Sequence, residues 1–234
     1  MNYFNFKNKN VVIVGGSGKF GQHIVEIFKN KNANISVISR KKIFYKSRKI
    51  KNYQINLENI NSIKKLPNKI NKKIDVLINC SINRGGNILE KYKIDFLSEN
   101  ILLNSFQTKM KKNSSIILLS SIYGENIPKL DIYTEKDIIP DAYYVHLKSG
   151  YKNLCKYYAK IFEKKKIRVN SIAFGGMKSK KMSQFFYKNY IKLTTAKRMM
   201  LKKDLELPIL FLSSNFSEYV NGSTLVVDGG FSCR

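Results

Sequence analysis

The segment VVIVGGSGKFGQHIVEIFKN near the start of the chain constrains the fold most. VVIVG (11–15) is an uninterrupted apolar run short enough to be a strand buried on both faces. QHIVEIFKN (22–30) then places Ile24, Val25, Ile27 and Phe28 at helical spacing. Between the two lie Gly15, Gly18 and Gly21. Glycine allows a tight turn and lets main-chain N–H groups come close to a pyrophosphate, while the following helix start adds partial positive charge. A glycine string alone says little, but one that follows a strand and opens a helix has the setting that dinucleotide binding needs. Gly15, Ser17, Gly18, Lys19, Phe20 and Gly21 are therefore the candidate phosphate-loop residues.

The same alternation continues along the chain. NISVIS (34–39) reads as a second strand, YQIN (53–56) as a short third after a basic stretch over 40–52, and DVLINCS (75–81) as a fourth. In SIKKLPNKI a proline limits any helix. A helix is expected over 94–111, a strand at SSIILLSS (114–121), a long helix over roughly 142–164, a sixth strand at IRVNSIAFG (167–175) and a last at TLVVDGG (224–230). Strands alternating with helices imply an α/β fold: one Rossmann-type, doubly wound parallel sheet flanked by helices, with right-handed crossovers. No repeat, linker or second domain is visible, so residues 1–234 read as one domain, with a substrate-loop region at about 175–205.

Composition narrows the setting. Apolar residues make up 43% of the chain, which excludes disorder, and no apolar run approaches a membrane span. No signal peptide is evident, and Cys80, Cys155 and Cys233 lack metal-ligand spacing, so free thiols in the cytoplasm and no metal are expected. The formal charge of +27 suits a polyanion binder. Its lysines, however, are dispersed along the chain beside abundant Asn and Ile, residues that share A/T-rich codons, so no specific nucleic-acid partner is expected. At the end of the second strand stand Ser39 and Arg40, then Lys41 and Lys42, with no carboxylate to bind a ribose 2′-hydroxyl. A basic side chain there suits a 2′-phosphate, favouring NADP(H) and leaving NAD(H) as the alternative.

Tyr144 and Lys148, in AYYVHLKSG, are four residues apart on the long helix and share one face. An ammonium near a phenol favours the phenolate, lowering a pKa of about 10. That is the equipment for proton transfer at a carbonyl or carbinol oxygen near neutral pH. Tyr143 has no Lys four residues on, and Tyr151 has Cys155 at that spacing.

The order VGGSGKFG, DVLINCS, SIILLSSIYG, AYYVHLKSG, IRVNSIAFGG and VNGSTLVVDGG resembles the short-chain dehydrogenase/reductase family over nearly the whole chain. The resemblance implies that Tyr144 is the acid/base, that Lys148 lowers its pKa and binds the nicotinamide ribose, and that Ser121 orients the substrate oxygen, with Ser120 on the opposite face. It implies cofactor contacts at Arg40, Asn56, Leu57, Cys80, Ser81, Tyr144, Lys148, Gly175 and Gly176, besides the glycine loop, and no catalytic role for His23 or His146. Hydride transfer between the nicotinamide and a carbonyl or secondary-alcohol carbon is the implied reaction.

The chain also departs from the family. Lys19 stands where many members have a second glycine, Asn56–Leu57 replaces an Asp–x pair, and Asn79–Cys80–Ser81 replaces Asn-Asn-Ala-Gly. The helix asparagine of the usual catalytic set falls on Asp95 without gaps, or on Asn100 if the helix is shortened. Tyr144 lies 23 positions after Ser121, a longer interval than usual, and the insertion carries Glu125, Asp131, Glu135, Asp137 and Asp141. It reads either as a substrate-covering loop that recognises hydroxyls or as a surface insertion over the rim. The long interval is similar to enzymes of surface-sugar and nonulosonic-acid pathways, which implies a sugar-derived substrate. A 3-oxoacyl (acyl-carrier) thioester reductase and a cofactor-binding regulator with weak or no catalysis are the alternatives. Homodimers or homotetramers, paired through the helix after residue 94 and the Tyr144 helix, are implied as well.

Overall fold

A computed structural model describes residues 4–83, 85–179 and 182–233. Its strands are β1 (Asn10–Val14), β2 (Asn34–Ser39), β3 (Ile50–Gln54), β4 (Ile74–Asn79), β5 (Met110–Ser121), β6 (Arg168–Phe174) and β7 (Thr224–Val227). They form a parallel sheet in the order β3-β2-β1-β4-β5-β6-β7. The order reverses beside β1, where β1 pairs with β2 on one side and β4 on the other. A crevice at the carboxyl ends of β1 and β4 follows from that reversal, and such crevices hold ligands in open α/β sheets.

Helices cover both faces of the sheet. α1 (Lys19–Asn30) and α7 (Glu206–Ser213) cover one side, where Val11, Ile13, Ile24, Phe28, Val37, Ile78, Leu205 and Ile209 share a core. On the other side lie α2 (Ile60–Ile70), α4 (Ser98–Phe106) and α5 (Ala142–Ile161), which enclose Val12, Val14, Leu77, Leu102, Phe106, Leu118 and Tyr158. The period-two alternation of β1 sends Val11 and Ile13 to the first core and Val12 and Val14 to the second. A third, smaller core sits beyond the strand ends, where Tyr123, Ile132, Phe186, Tyr190, Met199 and Phe231 pack under α6 (Gln184–Leu193).

Several elements differ from the sequence expectation. β3 pairs with β2 over Ile50–Gln54 instead of 53–56, because the edge register matches Ile35 with Ile50 and Ile38 with Tyr53. α2 forms in spite of Pro67. Asn59 caps its start by accepting from Ser62 N–H at 3.0 Å, and Ile63, Leu66, Pro67 and Ile70 are all buried. That burial outweighs the one hydrogen bond the proline removes. The helix expected from 94 begins earlier, at α3 (Ile88–Tyr92), and passes through a π-turn over Lys93–Leu97 into α4. A capping box at Asn87 and Glu90 fixes that early start.

Candidate active site

The turn after β1 is held by Gly15 and Gly16 N–H groups, which donate to Ile38 O. Gly15 adopts φ +77°, and a Cβ there would lie 2.6 Å from Ser81 N, so only glycine lets this turn pass the loop after β4. At Gly21 a Cβ would meet Gly15 O at 2.2 Å, which forces glycine where α1 leaves the turn. Gly18 caps α1, and no acidic residue occupies the first turn of that helix. Its amide groups thus face the crevice without a competing carboxylate, which fits a pyrophosphate. Lys19 reaches across instead of down, with Nζ donating to Met177 O at 3.2 Å and Lys178 O at 3.1 Å. Phe20 packs on Phe174 at the end of β6, and Ser17 O accepts from Gln22 Nε2.

The remaining crevice residues come from other strand ends. Ser39 Oγ donates to Lys41 O and accepts from Asn52 Nδ2, leaving Arg40 exposed at the tip of β2. Arg40 O accepts from Gln54 Nε2 at 3.1 Å, which holds the chain past the end of β2 against β3. Cys80 Sγ contacts Val14 O at 2.8 Å, and Ser81 donates to Asn79 Oδ1 through both N–H and Oγ. Burial pushes the Cys80 thiol up to about 12, so it stays neutral. Asn56 is absorbed in a local turn with Glu58, and Leu57 is buried in the core beside Ile55 and Ile63, so its side chain does not line the crevice. Gly175 N–H donates to Val227 O, while Gly176 N–H donates to the Tyr190 hydroxyl at 2.6 Å.

Ser121 ends β5, where its Oγ accepts from Tyr123 N–H at 3.2 Å and stays buried. Ser120 instead donates to Lys148 O at 3.0 Å, tying β5 to α5. Asp141 caps α5 by accepting from Tyr144 N–H at 2.8 Å and pairs with Lys91 at 2.6 Å. Lys148 is only 5% exposed. Its ammonium donates to Leu119 O at 2.6 Å, lies 5.9 Å from the centroid of the Tyr144 ring and 4.5 Å from that of Tyr151. A buried ammonium one helical turn behind a phenol, at the same sheet edge as Ser121, is an arrangement suited to proton transfer at a bound oxygen.

The two candidates for the helix amide part company here. Asn100 turns toward α5 and away from Lys148, donating to Phe96 O and accepting from the Tyr158 hydroxyl at 2.9 Å. Asp95 sits in the π-turn, buried, and accepts from Asn83 N–H at 2.8 Å. Burial pushes its carboxyl up to about 6, against the pull of the Asn83 bond and of Lys148. One turn on, Glu99 is buried as well and accepts from Asn79 Nδ2 at 2.8 Å. Sequence reading passed over Glu99, although its spacing from Asp95 puts both carboxylates on one helix face.

The insertion after Ser121 folds onto α6. Asp137 accepts from Ser183 through N–H (2.8 Å) and Oγ (2.6 Å), and from Thr134 Oγ1 at 2.7 Å. Burial raises the Asp137 carboxyl, but the bonds from Ser183 and Thr134 together outweigh this and hold it at about 2. The Tyr133 and Tyr123 hydroxyls meet at 2.5 Å, and the Tyr133 ring packs on Phe186. Three of the five insertion carboxylates are thus engaged with the protein itself: Asp137 with α6, Asp141 with α5 and Lys91, and Glu125 with Lys152.

Comparison with known proteins decides the family. The sequence model of a family described as enoyl-(acyl carrier protein) reductase matches residues 21–232. The solved structure of a short-chain dehydrogenase from Leptospira borgpetersenii with bound NAD+ superposes with a TM-score of 0.87, is 30% identical, and covers 97% of this chain and 94% of that one. The chain belongs to the short-chain dehydrogenase/reductase family. It is an NAD(P)-dependent oxidoreductase of that type. A flagellin modification protein of Campylobacter coli is 34% identical over 53% of this chain and 48% of its own length. A sorbose reductase of Candida albicans is 26% identical over 100% of this chain and 90% of its own. No helix among the described residues is long and apolar enough to cross a membrane.

Proposed function

We propose that this oxidoreductase uses NADP(H) to interconvert a ketone and a secondary alcohol on a polyhydroxy, sugar-derived substrate. The observation that carries the reaction type is the buried Lys148 ammonium one turn behind Tyr144, held by Leu119 O on the strand that ends at Ser121. Bound nicotinamide supplies or accepts the hydride. Tyr144 gives or takes the proton at the substrate oxygen, Ser121 Oγ hydrogen-bonds that oxygen, and Lys148 favours the phenolate. The glycine turn and the α1 N-terminus hold the pyrophosphate, with Cys80, Ser81, Gly175 and Gly176 lining the crevice.

Arg40, exposed just after β2 and followed in sequence by Lys41 and Lys42 with no carboxylate adjoining, supports NADP(H). The tyrosine-lined cap, in which Tyr123, Tyr133 and Tyr190 converge near Tyr144, supports a hydroxylated substrate. So do the names of the flagellin-modifying and sorbose-reducing relatives. A second reading, reduction of a 3-oxoacyl thioester, draws on the acyl-carrier description of the matching family model. Ile88, Leu89 and Tyr92 on α3, with Tyr157 and Ile161 on α5, are exposed and support a homo-oligomer paired through these helices.

The test is NADPH and NADH oxidation against keto-sugars, acetoacetyl thioesters and simple ketones. Turnover fastest with a keto-sugar and NADPH is expected; preference for the thioester selects the second reading, and tighter NADH binding sinks the cofactor assignment. Tyr144→Phe should abolish turnover and leave NADPH binding intact.

A further inference from the structure

Among the described residues, four buried side chains carry ionisable charge: Asp95, Glu99, Lys148 and Arg168. Arg168 is occupied elsewhere, donating to Ser217 Oγ, Leu212 O and Ser214 O below α7. Both buried carboxylates therefore share one buried cation, Lys148, and each feels its field. A carboxylate inside an apolar core is retained only with donors and an opposite charge close by. Glu99 has both. Asn79 Nδ2 donates to it from β4, and the Tyr151 hydroxyl bonds it from α5, the ring of that tyrosine lying 4.5 Å from Lys148 Nζ.

We propose that Glu99 is the buried counter-charge of Lys148 and thereby sets how readily Tyr144 ionises. It is a positioning residue, since it touches neither substrate nor cofactor. The proposal rests on the reading of Tyr144 as the acid/base group. An ammonium lowers the cost of a neighbouring phenolate, and a carboxylate behind the ammonium offsets part of that field. Glu99 itself titrates in the working range: burial pushes it up to about 7, against the Asn79 bond and the pull of Lys148. Asp95 faces it from its own helix run, and Tyr143, Lys148, Tyr151, Cys155 and Tyr158 face it from α5. The phenols and the thiol in that set are raised by burial and stay neutral below their own high pKa values, so the charge facing Lys148 is set by the two carboxyls.

Glu99→Gln separates charge from structure, because the amide oxygen still accepts from Asn79. The readout is the near-ultraviolet tyrosinate absorbance of the whole protein titrated with pH, taken as the difference between each protein and its Tyr144→Phe counterpart. It needs no substrate, so an unsuccessful substrate panel leaves it untouched. With the negative charge gone, the Tyr144 midpoint should fall by about one pH unit, tenfold in its ionisation constant. NADPH affinity should stay close to wild type. Asp95→Asn, which keeps its acceptor for Asn83 N–H, should shift the midpoint the same way by less and serves if the first variant folds poorly. With a substrate in hand, the acid limb of kcat/KM for alcohol oxidation should move in parallel. A folded Glu99→Gln protein whose Tyr144 midpoint is unmoved or rises overturns the counter-charge role. A difference spectrum with no ionisation below the ordinary phenol range overturns instead the acid/base reading of Tyr144.

Discussion

Replacing Gly124 by alanine should disable the site by moving a helix. The new Cβ would lie 2.5 Å from Lys148 O and 2.6 Å from Lys148 C, about 0.9 Å short of the 3.4 Å at which ordinary contact begins. Both atoms are main chain, so no side chain can swing aside to make room. Ser120 Oγ, 3.0 Å away, already holds that same carbonyl. Relief requires α5 to slide off β5 by most of an ångström, carrying Tyr144 and Lys148 away from Ser121. A misplacement of about 1 Å costs on the order of 10²-fold in rate, and overpacking costs about 1–3 kcal/mol. For a domain of this size that is a fall in Tm of roughly 2–12 °C. Gly150→Ala is the matched control on the same helix. Its Cβ meets nothing within 4 Å, so it should gain up to about 1 kcal/mol of helix stability with turnover unchanged. Steady-state kcat and thermal melting decide the matter. A Gly124→Ala protein within threefold of wild-type kcat and with an unaltered Tm would refute the reasoning.

Other expectations concern charge and capping. Arg168→Met removes the three hydrogen bonds that the buried guanidinium donates to Leu212 O, Ser214 O and Ser217 Oγ, while Ser115 Oγ still donates to Leu212 O and Ser217 Oγ to Ser214 O, and should cost on the order of 3 kcal/mol in denaturant unfolding. Asp95 and Glu99 hold protons in the folded state up to about 6 and about 7, whereas unfolded carboxyls release them near about 4. Their stabilisation is therefore full below about pH 4 and is lost as pH rises through 6 and 7, so wild-type stability should slope downward there and Glu99→Gln should flatten the slope. Asp137 has the opposite sign. Held at about 2, it stabilises above about pH 4 and loses that contribution as pH falls toward 2. Asp137→Ala should remove this acid-side loss and raise protease sensitivity around residues 177–193, measured by limited proteolysis.

The glycine turn and the placing of Tyr144 and Lys148 on one helix face were legible because each is local. One strand, three glycines and a helix start define the first, and four residues on one helix define the second. The doubly wound sheet was legible for the same reason, since apolar runs of strand length recur between helical segments. What escaped the sequence is set by contacts between distant segments. β3 slipped because an edge strand takes its register from β2, and α2 formed across Pro67 because the core supplied what its backbone lost. Glu99 escaped because its partners Asn79, Lys148 and Tyr151 come from two other elements, and a glutamate on a helix ordinarily faces water. The Leu57 side chain is buried in the core beside Ile55 and Ile63, a contact that its polar sequence neighbours Asn56 and Glu58 do not announce.

These contacts also divide the site into two parts with separate supports. Behind the strand edge, Lys148 is held by Leu119 O, the helix by Ser120, and the loop after β4 by Asp95 and Glu99, all inside the sheet-facing layer. In front, the insertion and α6 form their own core, which meets α5 through Tyr144 and Val145 at its first turn. Asp137 and Tyr133 join insertion to cap without touching the buried charges. Lys19 is the exception, spanning the phosphate turn and the carbonyls of Met177 and Lys178 where the cap begins. Its ammonium ties the glycine turn after β1 to the main chain at Met177 and Lys178, ahead of α6.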